Sequence, residues 1–175
     1  APCPVSVGYG DLIITEIMNN PNEVADAVGE WFEVYNNTAA DIDMNGYVIE
    51  HDDMDPPHIV AGSLIVPAGG YAVIGVNGDA MVNGGVTVDY VATDIFHNNT
   101  ADLIAIYTDM GDLIDETAYD QASGLDPDGP SRGLDPAFLD ADANDDDTNF
   151  CEASSFISGG AGDQGTPGAA NDACP

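Results

Sequence analysis

The sequence predicts an all-β protein, an antiparallel sandwich of roughly eight to ten short strands followed by a long, irregular segment rich in Asp and Gly. Three observations predict it. Apolar and β-branched runs recur as far as Tyr119, each stopped by Asn, Pro, Gly or Asp. Helical periodicity nowhere exceeds one turn. In the central run, Trp31, Glu33 and Tyr35 fall on one face of an extended chain and Phe32 and Val34 on the other. The first face is amphipathic and the second purely apolar, as a strand in a two-layer sandwich requires.

In chain order, Asp11 to Met18 is the first strand, stopped by Asn19-Asn20-Pro21. A loop runs to Gly29, and the Trp31 strand then closes in Asn36-Asn37-Thr38. Ala39 to Met44 form a polar connection with Ile42 pointing inward, and after the Asn45-Gly46 turn Tyr47 to Glu50 form a third strand. His51-Asp52-Asp53-Met54-Asp55-Pro56-Pro57 is expected to be an exposed loop, since two prolines and three aspartates do not suit a ladder. Ser63 to Val66 is a short strand, Pro67 to Gly70 a turn, and Tyr71 to Gly75 a strand apolar enough for the core. After a Gly- and Asn-rich loop over 77–85, Val86 to Val91 alternates as a strand, and Asp94-Ile95-Phe96 leads into Asn98-Asn99-Thr100. Asp102 to Tyr107 and Leu113 to Tyr119 form a hairpin across Asp109-Met110-Gly111-Asp112, with Gly111 suited to a positive φ. Beyond Tyr119 only Ser131 to Leu134 reads as a short strand.

At 175 residues the chain fits one domain, and 44% hydrophobic residues are enough for a real core. Residues 1–10 read as an N-terminal arm and residues 11–175 as the domain. Thirty-two Asp and Glu stand against a single basic residue, Arg132, for a net charge of −31. Binding to phosphate backbones and anionic lipid relies on Lys and Arg, so nucleic acid and membrane surfaces are poor partners unless cations bridge them, and neither nucleic-acid binding nor membrane insertion is expected. No stretch is apolar for the ~18 residues of a membrane helix. Ala1-Pro2-Cys3-Pro4 lacks the regions of a signal peptide and reads as a mature or trimmed end. Three cysteines in such a chain point to an oxidising exterior and a secreted, cell-surface location. Cys151 is expected to pair with Cys174, leaving Cys3 unpaired or intermolecular; Cys3 with Cys174 is the rival. Nothing resembles a zinc or redox spacing.

One resemblance spans about residues 11 to 171. The run Ile13-Ile14-Thr15-Glu16-Ile17-Met18, Asn20-Pro21, Gly29-Glu30-Trp31-Phe32-Glu33-Val34-Tyr35-Asn36, Asp43 and Gly46-Tyr47-Val48-Ile49 is similar to the lamin-tail domain in its secreted bacterial form. Leu64, Val66-Pro67-Ala68-Gly69-Gly70-Tyr71, Asp102-Leu103-Ile104, Tyr107, Gly111, Ile114-Asp115, Tyr119 and Gly165-Thr166-Pro167-Gly168-Ala169-Ala170-Asn171 continue the pattern. The resemblance implies an immunoglobulin-like β-sandwich without a catalytic centre, found in bacterial secreted or surface proteins, often beside nuclease, phosphatase or adhesion modules.

Candidate sites follow from the acids and histidines. The alternation of Asp140, Asp142, Asn144 and Asp146 is expected to direct side-chain oxygens toward one point, which suits calcium with its six to eight oxygen ligands. The loop departs from an EF-hand, with Asp145 at the glycine position and Cys151 at that of the bidentate Glu. A second candidate lies at Asp52, Asp53 and Asp55, flanked by His51 and His58. None of His51, His58 and His97 has a Ser or Cys neighbour in a nucleophile pattern. Glu16, Glu30 and Glu33 are placed at strand edges and turns, and Arg132 is expected to pin the C-terminal segment through a bidentate carboxylate pair. The sequons Asn36-Asn37-Thr38 and Asn98-Asn99-Thr100 read as turn chemistry.

The function expected from these residues is structural. The chain reads as a non-catalytic extracellular protein that associates with copies of itself or with cell-surface components, a surface or filament subunit stabilised by divalent cations. Cys3 or the arm would cross to the next subunit by strand addition. The alternative is an accessory adhesion or targeting module of a larger secreted hydrolase such as a nuclease or phosphatase.

Overall fold

The first strand, β1 (Leu12–Met18), is buried along its whole length, so it is covered on both faces. Its apolar positions break a period of two: Leu12, Ile14 and Ile17 enter the main core, whereas Ile13 and Met18 join separate clusters on the outer face. A β-bulge explains the change of phase. Ile14 is opposite Val34 and Glu16 opposite Glu33, which leaves Thr15 as the extra residue. The computed structural model describes residues 6–51, 56–125, 127–160 and 162–175.

A single turn of helix, α1 (Asp26–Gly29), interrupts the expected loop before β2 (Trp31–Asn36). The chain continues through β3 (Ile42–Asp43), β4 (Val48–His51), β5 (His58–Ile59), β6 (Ile65–Val66), β7 (Tyr71–Gly75) and β8 (Tyr90–Val91). The hairpin β9 (Ala101–Tyr107) and β10 (Leu113–Asp120) follows, then β11 (Arg132–Leu134) and β12 (Phe150–Glu152). One sheet has the order β12-β11-β1-β2-β7-β8, the other β10-β9-β4-β5, and β3 pairs with β6. All pairings are antiparallel except β7 with β8. The two sheets enclose Phe32, Val34, Ile49, Ile74, Ile104 and Ile106, the immunoglobulin-like sandwich core.

Two local expectations are corrected. The strand over Val86 to Val91 shrinks to Tyr90–Val91 because side chains take over its backbone pairing. Asn83 bonds both the N–H and the C=O of Val86, and Asp89 accepts the N–H of Val73 (2.8 Å). His51, assigned to the exposed loop, is the last residue of β4 and only 2% exposed. Asp52, Asp53 and Asp55, like Cys3, lie outside the described residues.

The C-terminal segment is part of the sandwich. β11 pairs with the second half of β1, setting Glu16 opposite Gly133 and Ile17 opposite Arg132. Leu134, Ala141 and Phe150 pack on Ile13 as an outer cluster. Residues 6–10 also find partners within the chain: Val7 packs against the core, and the Gly10 N–H donates to the Ile114 carbonyl (2.8 Å).

Candidate functional site

The acidic loop after β11 contains the residues expected around a cation, and there Asp140 and Asp146 bond close at hand while Asp142 reaches the N-terminal segment. Asp140 Oδ1 accepts from the N–H groups of Asp142 (3.0 Å) and Ala143 (3.3 Å). Asp146 Oδ1 accepts from the hydroxyl (2.7 Å) and N–H (3.0 Å) of Thr148, bonds that hold its pKa below the ordinary carboxylate value. Asp142 Oδ1 accepts the Tyr9 hydroxyl (3.0 Å). Asn144 turns the other way, into the protein, where its Nδ2 donates to Asp115 Oδ2 (2.7 Å) and the Ile14 carbonyl (3.2 Å). Among the described residues no group of three or more His, Cys, Asp or Glu side chains is arranged to hold a metal ion.

Asn144 serves the bulge of β1. A bulge leaves backbone groups outside the ladder, and buried groups of that kind need partners. Here side chains supply them. The Ile14 N–H donates to Asp115 Oδ2 (2.6 Å), and Asn171 Nδ2 donates to the carbonyls of Thr15 (2.6 Å) and Leu134 (2.9 Å).

The acids placed at strand edges by the sequence are instead buried, a correction that applies to Glu16, Glu30 and Glu33 alike. Glu16 and Glu33 sit opposite each other on the outer face of β1 and β2. Glu16 accepts from the Ser131 hydroxyl (2.5 Å) and from the N–H (2.8 Å) and hydroxyl (3.0 Å) of Thr166. Glu33 accepts from the Thr15 hydroxyl (2.9 Å) and the Gly168 N–H (2.6 Å). Together they clamp residues 165–171 across the sheet as a strap. Burial raises both carboxyl pKa values despite these bonds, and the neighbouring Glu16 adds to the rise at Glu33, which reaches about 8. Glu30, which accepts the His97 N–H (3.1 Å), is also raised by burial to about 8. Asp115 rises by burial to about 8, with the Asp145 charge contributing. Coverage by a segment some 150 residues away leaves no local sign in β1, although the uneven apolar spacing of Leu12, Ile14 and Ile17 signals the bulge.

Arg132, 1% exposed, lies 4.6 Å over the Tyr119 ring. One guanidinium nitrogen bonds Asp147 and another the Leu125 carbonyl (2.8 Å), so its pairing differs from the expected bidentate fork while still pinning the C-terminal segment. Cys151 and Cys174 form a disulfide. His58 bridges Asp94 (2.6 Å) and Tyr90 (3.0 Å), and both ring nitrogens of buried His51 lack partners among the described residues. Asn36 is buried, bonding the carbonyls of Ala40 and Val66, so its side chain is used in a turn. Paired carboxyls can do acid–base work only where a substrate reaches them. Glu16 and Glu33 are fully covered.

The geometry defines an immunoglobulin-like sandwich whose buried carboxyls hold structure together. The family model named Lamin Tail Domain matches residues 6–121, and the chain belongs to that family, a structural and non-catalytic domain. No curated protein matches the chain. The family match ends within the last turn after β10, so β11, β12, Arg132, Asn144 and the strap lie beyond it.

Proposed function

We propose that the chain is a non-catalytic extracellular interaction domain of the secreted bacterial kind, associating with copies of itself or with cell-surface components while divalent cations, calcium foremost, offset its charge. The observation that carries this reading is the position of Arg132. As the only Lys or Arg in the sequence, it is spent inside the fold, so no such cation remains to relieve the acidic surface. Two such surfaces repel. Copies therefore meet where cations screen or bridge them, or where backbone edges pair. The disulfide supports an oxidising compartment, and the family supports an interaction role.

Light scattering after size exclusion tests the reading. A larger species is expected in millimolar calcium and a smaller one after chelation, with reductant separating any contribution from Cys3. A monomer under every condition overturns it.

A further inference from the structure

A cleft of about 420 Å³ opens beside the β9–β10 turn, lined in part by Val7, Tyr47, Thr108, Asp109, Met110 and Asp112. That volume lies within the range of small-ligand sites. Its wall is rigid. The Thr108 N–H donates to the Asp112 carbonyl (2.8 Å), the Gly111 N–H to the Thr108 carbonyl (3.0 Å), and the Thr108 hydroxyl accepts from the N–H groups of Asp112 (3.1 Å) and Met110 (3.3 Å). Gly111 completes the turn at φ +87°, as its sequence context predicts.

This fixed turn presents two exposed carboxylates, Asp109 and Asp112, neither of which meets a donor among the described residues. Between them and the core stands Tyr47, whose residue is 8% exposed. Tyr47 lines the cleft, and its hydroxyl has no hydrogen-bond partner among the described residues. Burial and the charges of Asp109, Asp43 and Asp11 raise its pKa, so the phenol keeps its proton in a strongly negative field. Asp43 and Asp11 are already bonded to backbone N–H groups, which leaves Asp109 and Asp112 for a ligand. Met110, 85% exposed, and Val7 add apolar surface at the rim.

We propose that this cleft binds the lysine side chain of a partner protein. The ammonium would donate to Asp109, Asp112 and the Tyr47 oxygen, and its methylene stem would lie along Met110 and Val7. A second copy of this chain is not the partner, because the sequence has no lysine and its one arginine is buried. The site is therefore distinct from self-association and independent of it.

The test titrates the full chain at physiological salt with Nα-acetyl-lysine methylamide, and in parallel with the neutral norleucine analogue, following backbone amide NMR shifts. The lysine compound is expected to shift Tyr47 and residues 108–112 saturably, and the norleucine compound to leave them unmoved. Asp109→Asn with Asp112→Asn weakens binding at least about tenfold. Asp128→Asn with Glu152→Gln removes the same two charges from exposed sites elsewhere and leaves the affinity within about twofold. Shifts spread evenly over the acidic surface, equal losses in the two double variants, or no shifts at all overturn the proposal.

Discussion

Single carboxyl groups set how this protein responds to pH. Glu30 and Glu33 rise from 4.5 to about 8, and Asp115 from 3.8 to about 8, burial being the first cause in each. Each therefore holds its proton more tightly in the fold than in the unfolded chain. Such groups contribute stability that is complete below their unfolded values and disappears as pH rises through about 8. Urea unfolding should give a higher midpoint at about pH 5 than at about pH 8, the reverse of a protein held by carboxylates ionised in salt bridges. A midpoint that climbs over this interval would mean that these acids are ionised in the fold. Asn144 gives a second expectation at this scale. Asn144→Ala strips partners from Asp115 and the Ile14 carbonyl and should cost about 1–3 kcal/mol by denaturant unfolding with calcium chelated. A loss seen only when calcium is present would instead make Asn144 a ligand.

Among the elements, the bulged β1 strand and the strap depend on each other. The strap is fastened by Glu16, Glu33 and Asn171, and its far end by the Cys151–Cys174 disulfide, which spans 23 residues. Reduction should lower stability by about 2–4 kcal/mol, read as a drop in the thermal midpoint, with exchange of the Thr166 and Gly168 amides accelerating before the rest. Uniform acceleration would show that the strap is not a separate unit. The strands β1, β2, β7 and the β9–β10 hairpin are legible in the sequence because apolar, β-branched runs bounded by turn residues mark them locally. β12 is not, since three residues beside an acidic loop carry no periodicity, and β8 is shortened by Asn83 and Asp89, whose side chains imitate backbone. The burial of Glu16 and Glu33 comes from residues far along the chain, where local pattern is silent. In the acidic loop the same alternation of oxygens suits a cation or a succession of local side-chain turns, and the described hydrogen bonds follow the turns.

At the scale of the whole molecule, the position of its one arginine has a practical consequence. Proteases that cut after Lys or Arg have a single target bond in this sequence, Arg132–Gly133, within β11 and buried on both sides. Cutting there requires the chain to leave the sheet and enter a protease cleft as an extended segment. The folded protein should therefore outlast trypsin, and on partial unfolding should yield two pieces, divided after residue 132 and joined by no disulfide formed from Cys151 and Cys174. Gel analysis of timed digests checks this, and rapid cleavage under native conditions would mean that β11 detaches on its own. A fold with one scissile bond buried in its sheet is its own gauge of opening: each cut records one departure of β11 from the sheet.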